Sequence, residues 1–275
     1  MLRSGSRGDE VTATTELKTG DYLRLWRQRR GMSQLDLAVD AEISQRHLSF
    51  IESGRSSPSR EMILRLTERL DIPLRDRNAI LLAAGFAPFF GEHSLNDPAM
   101  SDARAAIEMI LKGHEPFPAL AVDRHWNLVM TNGALAPLLT GVEDRELLEE
   151  PINVLRLSLH PRGLAPHIVN LIEWRHHLLD RLHRQIAATR DDVLISLMRE
   201  LVAYPANDGP SAVPSDFGGV LVPLKLDTPA GVLSFLSTTT MFGTPRDVLL
   251  SEIAIEAFFP ADDATRGLLK PGDGS

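Results

Sequence analysis

The chain has 275 residues, 43% of them hydrophobic and 24% charged, enough for one large or two modest domains with buried cores. It contains no cysteine, which excludes disulfides, thiolate metal sites and cysteine nucleophiles and agrees with a reducing, cytoplasmic setting. The formal charge of −8 is unevenly spread: residues 21–90 hold eleven arginines against nine carboxylates, residues 1–20 balance, and residues 91–275 carry the acidic excess. Because phosphates meet local charge, a slightly basic module on an acidic body is compatible with a nucleic-acid partner. No apolar run approaches the roughly 18–20 residues that a membrane-spanning helix needs, so no membrane span is expected.

In chain order, residues 1–20 are polar, lack the apolar stretch of a secretory signal, and read as a flexible tail. Asp21 is placed as the cap of a first helix, YLRLWRQRR, with Leu23 and Trp26 on its apolar face and Gly31 as its stop. Ser33 caps a second helix, with Asp36 three residues on in the role of a capping-box glutamate and Leu35, Leu37 and Ala38 inward. After only Ala41, Glu42 and Ile43, Ser44 caps a third, in which Leu48 and Ile51 face inward and which Gly54 stops. Helices joined so closely must cross steeply, and the third then stands proud of the surface with Gln45, Arg46, His47 and Ser49 outward. This is a helix-turn-helix.

The stretch LRLWRQRRGMSQLDLAVDAEISQRHLSFIESGRSSPSREMILRLTERLDIP resembles the lambda-repressor-like, XRE-type DNA-binding domain. The match runs through Arg27 and Arg30, through Ser33, Gln34 and Ala38, through Ile43, Ser44, Leu48 and Ile51, and through ESGRSSPS. It implies an all-α, five-helix domain over residues 21–90 whose third helix enters the major groove. Carried over by position, Gln34 binds a phosphate and Gln45 and Arg46 face bases, glutamine suiting adenine and arginine guanine. Arg27, Ser44, Ser49 and Arg55 complete the DNA-facing set, the serines and Arg55 holding the backbone. Glu52 reads as structural, paired with an arginine.

Residues 91–104 read as a linker, FAPFFGEHSLNDP being rich in proline, glycine and aromatics. A helix follows, MSDARAAIEMILKGH, with Ala106, Met109 and Ile110 inward, lying between domains or pairing two subunits. Leu120 and Val122, then Trp126, Leu128 and Met130 around DRH, predict a hairpin, with a helix opening at Asn132. Residues 153–204 read as helical. Ile168, Leu171, Ile172, Trp174, Leu178, Leu182 and Ile186 form the stripe of a long helix. Val220, Val222, Leu224 and Leu226 alternate as a strand before a turn at Thr228 to Gly231, and an apolar strand or helix and a short terminal helix close the chain.

The start of this portion resembles a PAS-type domain. Residues 105–270 as a whole are similar to the ligand-binding domain of MmyB-like transcription regulators, through HWNLVMTN, NVLRLSLHPRGLAPHIVNLIEWRHHLLDRL, LVPLKL, GVLSFLSTTTMFGTP and EIAIEAFFPADDATRGLL. The expected protein is multidomain, with an α+β PAS-like domain after the helix-turn-helix and a tail at 271–275. The resemblance implies a small apolar effector, fatty-acid-like, between sheet and helices. Candidate lining residues are Trp126, Leu128, Met130, Leu171, Trp174, Leu178, Met198, Leu224, Phe235 and Met241, with Arg156 or His177 to meet a carboxylate.

His160, His167, His176, His177 and His183 cluster in sequence without a zinc-binding pattern, and Arg175, His176, Arg181 and Arg184 read as a solvated basic face or as one that contacts the acidic remainder. No nucleophile elbow or phosphate loop is present, so no enzyme, metal or cofactor is expected. The expected partners are a double-stranded DNA operator, a small apolar effector and a second copy of the chain. The alternative is a second domain that grips a partner protein.

Overall fold

The computed structural model describes residues 17–205 and 221–269, which divide into two units, one ending at Phe90 and the next beginning at Gly91. Expectations for residues 1–16 and 270–275 and for Val220 lie outside the described residues.

The first unit contains α1 (Thr19–Arg29), α2 (Gln34–Asp40), α3 (Gln45–Glu52), α4 (Arg60–Arg69) and α5 (Leu74–Ala83). Ser33, Ser44 and Ser59 accept the N–H of the third residue of α2, α3 and α4, and Asp36 returns the bond to the Ser33 N–H at 2.8 Å. All five helices stop alike. A residue in the left-handed conformation (Gly31, Glu42, Gly54, Asp71 or Gly85) follows the cap, and its N–H and the next one bond back into the last turn. In four cases that next residue is apolar, and Met32, Ile43, Ile72 and Phe86 all pack on the core of Leu23, Trp26, Leu37, Leu48, Ile51, Ile63 and Leu66.

Two expectations are corrected here. α1 begins at Thr19, because Asp21 occupies its third position and accepts the Lys18 N–H, so Thr19 and Gly20, grouped with the tail by sequence, are buried in the first turn. Leu35 is 54% exposed, since α2 turns Leu37 and Ala38 inward and a residue two back from Leu37 lies on the opposite side of a helix.

One carboxylate ties α1, α2 and α3 together. Glu52, the last residue of α3, has a fully buried side chain and receives Arg27 Nε at 2.6 Å, Arg27 Nη2 at 2.9 Å and Gln34 Nε2 at 2.8 Å. Arg24 donates to the Glu52 carbonyl at 2.7 Å. Burial pushes the Glu52 carboxyl up, but the bonds from Arg27 and Gln34 and the charges of Arg27 and Arg24 outweigh it and hold it below the usual carboxylate range. Gly20 sits on the same seam: a Cβ there would lie 2.4 Å from the Ile51 carbonyl oxygen and 2.9 Å from that of Glu52.

The second unit is built on a five-stranded antiparallel sheet in the order β2-β1-β5-β4-β3. Its strands are β1 (Ala119–Val122), β2 (Leu128–Thr131), β3 (Leu224–Thr228), β4 (Gly231–Met241) and β5 (Ala254–Pro260). The hairpin predicted at Thr228 to Gly231 is present, with those two residues paired. β1 is buried on both faces. Leu120 and Val122 join a core under α7 (Val154–Leu159), α8 (Leu171–Thr189) and α9 (Asp192–Ala203), while Ala119 and Ala121 join a second core with α6 (Ser101–Gly113). α10 (Val248–Glu252) precedes β5, and α11 (Asp263–Leu269) follows it.

Local phases differ from the sequence reading in this unit. α6 turns Ile107 and Leu111 inward, which leaves Met109 at 70% exposure and Ile110 exposed. Ser101 to Gly113 of this helix starts inside the expected linker. Asn132 opens no helix: its buried side chain donates to the Leu111 and Phe117 carbonyls and accepts the Ala119 N–H, and only a short 3-10 turn, Ala136–Leu139, follows. Ile168 precedes α8 and forms a bridge with Leu226.

Two stability measurements test the α1–α3 seam. Glu52→Gln leaves Arg27 buried without its counter-charge and is expected to cost about 3–5 kcal/mol in denaturant unfolding of the first unit. Because the folded carboxyl is lowered, Glu52's contribution is complete above the ordinary carboxylate range and is lost as pH falls through the lowered value, so the variant's deficit shrinks in acid. Gly20→Ala forces backbone apart and is expected to cost about 1–3 kcal/mol in the same assay.

Candidate nucleic-acid interface and ligand cavity

The outward half of α3 begins at a capped end and carries polar groups that no core contact consumes. Gln45 and Arg46 are exposed, and Arg46 lays its guanidinium over the Phe50 ring at 5.3 Å, a support that keeps the long side chain extended along the helix. Ser44 and Arg55 are exposed at the two ends of the helix, and Ser49 is half-buried. The Ser44 hydroxyl oxygen accepts the His47 N–H at 3.2 Å and keeps its own hydrogen to donate.

Arg27, expected among the DNA-facing residues, is not on this surface. Its guanidinium is closed by Glu52 and by the Met32 carbonyl at 2.7 Å, and burial of the residue leaves it an internal strut. Gln34 is half-buried; one hydrogen of its side-chain amide goes to Glu52, and the other is left to donate.

The second unit holds a cavity of about 100 Å³ between the sheet and the helices. α8 supplies Trp174, Leu178 and Arg181; the sheet supplies Leu120, Leu128, Leu224, Leu226, Phe235, Ser237, Glu256 and Phe258. Pro118, Trp126, Leu135, Leu138, Leu139, Val154, Leu155, Leu157, Ser158 and Leu164 complete the described lining. Of the residues expected to line it, Trp126, Leu128, Trp174, Leu178, Leu224 and Phe235 do so.

Six expected lining residues are elsewhere, each for a local reason. A bulge shifts the β1–β2 register between Ala121 and Val122, so Met130 pairs with Ala121 and falls on the α6 side instead of sharing the face of Leu128. Met241 lies past Thr239 at the exposed end of β4, and Leu171 and Met198 pack on the core without reaching the cavity. Arg156 is engaged by Glu200 through bonds of 2.8 to 3.0 Å, in a group completed by the Tyr204 hydroxyl. His177 stacks on Trp174 at 5.4 Å; burial, with the charges of Arg181 and Arg184, pushes its imidazole below the ordinary range, which opposes a cationic role.

The ion pair in the cavity wall is the feature that differs from the sequence reading. Arg181 was placed on a solvated basic face, yet its side chain is only 19% exposed and pairs with Glu256, which is 5% exposed. The Arg181 Nη2 donates to Glu256 Oε1 at 2.6 Å and to Thr239 Oγ1 at 2.9 Å, Nη1 donates to Glu256 Oε2 at 3.3 Å, and Thr239 donates on to Glu256 at 2.9 Å. The guanidinium also lies 4.8 Å above the Trp126 ring. The signal was present in two places: Arg181 follows Trp174 by seven and Leu178 by three on one helix face, and Glu256 interrupts the inward face of an otherwise apolar strand.

The five histidines of residues 160–183 diverge. His167 bonds the Gly141 carbonyl at 3.0 Å, His160 sits edge-on to Tyr204, His177 lies on Trp174, and His176 and His183 are exposed. Among the described residues no group of histidines and carboxylates converges on a metal-sized site, and no helix is long and apolar enough to cross a membrane.

Comparison with known families agrees with this division. A helix-turn-helix family model matches residues 23–76, and the model for the MmyB-like transcription regulator ligand binding domain matches residues 103–270. No curated protein matches the chain. The second match covers more than half of the sequence, and with it this chain belongs to the MmyB-like transcription regulators, DNA-binding proteins that join an XRE-type helix-turn-helix to a ligand-binding domain.

Proposed function

We propose that this regulator is a cytoplasmic, sequence-specific one-component switch. In this reading α3 reads an operator, and a small apolar effector enters the cavity of a PAS-like sensor domain. The observation that carries the reading is the cavity itself, lined almost wholly by apolar side chains with only Ser158, Arg181, Ser237 and Glu256 polar among its described lining, as ligand sites are built. Gln45 and Arg46 are assigned to base edges. Gln34, Ser44, Ser49 and Arg55 are assigned to phosphates, where they position the helix without specifying sequence.

A homodimer fits an operator of two half-sites, and the exposed Met109 and Ile110 of α6 give such a pair an apolar surface to cover. The effector shifts operator affinity only by the difference between its affinities for the two states of the protein, so it acts by selecting one geometry. The fatty-acid-like effector that the resemblance implies belongs to this reading as a chain of apolar carbons; its head group is a separate matter. Denaturing extraction of the purified protein followed by mass spectrometry tests for an occupant: a co-purifying apolar molecule supports the reading, whereas operator binding with no occupant and no ligand response favours the protein-partner alternative.

Two further outcomes are expected. Gln45→Ala or Arg46→Ala loses about 1–3 kcal/mol of discrimination at one base position while non-specific affinity is largely kept, as read by competition against operator variants, and affinity for any sequence falls steeply with salt. Uniform loss on all sequences would reassign these side chains to phosphates. Leu178→Trp fills the cavity from α8 and is expected to abolish the effector's influence on operator binding, with unliganded operator affinity retained in an electrophoretic mobility-shift assay.

A further inference from the structure

Resting on the reading that the cavity is the effector site, we infer that the effector presents a neutral head group, an alcohol, ketone or amide, and not a carboxylate. Among the described residues that line the cavity the one cation is Arg181, and that charge is already answered. Glu256 takes both Nη1 and Nη2, Thr239 bridges the same two groups, and the ion pair is nearly closed to water. A ligand carboxylate placed here would be a second anion against one guanidinium, in a site too dry to screen it. It would face desolvation and the repulsion of Glu256 together.

A neutral group meets neither penalty and finds partners. Arg181 Nε and the second Nη1 hydrogen make no bond with protein among the described residues, so they are left to donate to a hydroxyl or carbonyl oxygen. The Ser158 hydroxyl accepts from the Trp174 indole at 3.0 Å, which leaves its own hydrogen to donate, and Ser237 brings a second hydroxyl to the wall. The remaining lining is hydrocarbon and aromatic. At about 100 Å³ the space is smaller than the roughly 150 Å³ apolar cavity that accepts benzene, so short-chain ligands are the appropriate probes.

The test is calorimetric titration of the full-length protein with hexanol and octanol against hexanoate and octanoate, at a pH well above the carboxylate range. The wild-type protein is expected to bind each alcohol at least about tenfold more tightly than the acid of equal length, the equivalent of about 1.4 kcal/mol. Glu256→Gln frees the Arg181 charge and is expected to reverse that order. Equal or tighter binding of the carboxylates by the wild-type protein overturns the inference and leaves the cavity reading standing. A folded Glu256→Gln protein that still prefers the alcohols also overturns it, because the ion pair is then not the cause. If neither series binds, or if Leu178→Trp leaves alcohol binding intact, the cavity reading fails and the inference falls with it.

Discussion

A carboxylate removed from water has to be closed by opposite charge and hydrogen bonds, and this constraint shapes both units. Glu52 is the stricter case. It ends α3, where the helix dipole itself opposes a negative charge, and its side chain is fully buried. Arg27 and Arg24 from α1 and Gln34 from α2 make that position tolerable, so satisfying one charge fixes the mutual placement of three helices. Glu256 does the same for the second unit, joining β5 to Thr239 of β4 and Arg181 of α8. Glu200 repeats the arrangement with Arg156, partly in solvent.

The consequence for recognition is one of subtraction. Arginines read from sequence as reaching for a partner, Arg27 toward DNA and Arg156 toward a ligand, are already closed on glutamates. What is left for outside partners is a smaller and chemically different set. On α3 it is an exposed amide and a guanidinium steadied by Phe50, carried by a helix whose far end cannot shift without uncovering Glu52. Inside the second unit it is hydroxyls and the spare hydrogens of a neutralised arginine.

The legible part of the sequence is the part decided locally. Ser33, Ser44, Gly31 and Gly54 mark the ends of helices because a capping hydroxyl or a left-handed residue acts within one turn, and each was placed correctly. Glu42 and Asp71 perform the stop that glycine performs elsewhere, at the cost of a strained conformation that no sequence pattern announces. The failures are tertiary. Met130 followed simple alternation into the wrong core because one bulge reverses the parity of β2, and Met109 and Ile110 missed the inward stripe by a helix phase that only the sheet beneath α6 decides. Arg181 was hidden among basic neighbours, since its partner is 75 residues away in sequence.

The Trp126 turn is a firmly braced part of the cavity wall. Trp126 adopts φ +67°, a conformation unfavourable for a bulky side chain, and its surroundings over-determine it. Asp123 accepts the His125 and Asn127 N–H groups, Asn153 donates to the His125 carbonyl, and Gln185 accepts the Trp126 indole N–H while donating to the Arg124 carbonyl. Elsewhere in the lining, Leu138 and Leu139 lie in the proline-containing 3-10 turn Ala136–Leu139, which has no side-chain cap and is partly exposed. Moving the Trp126 indole would therefore disturb both Gln185 of α8 and the Arg181 charge stacked on the same ring.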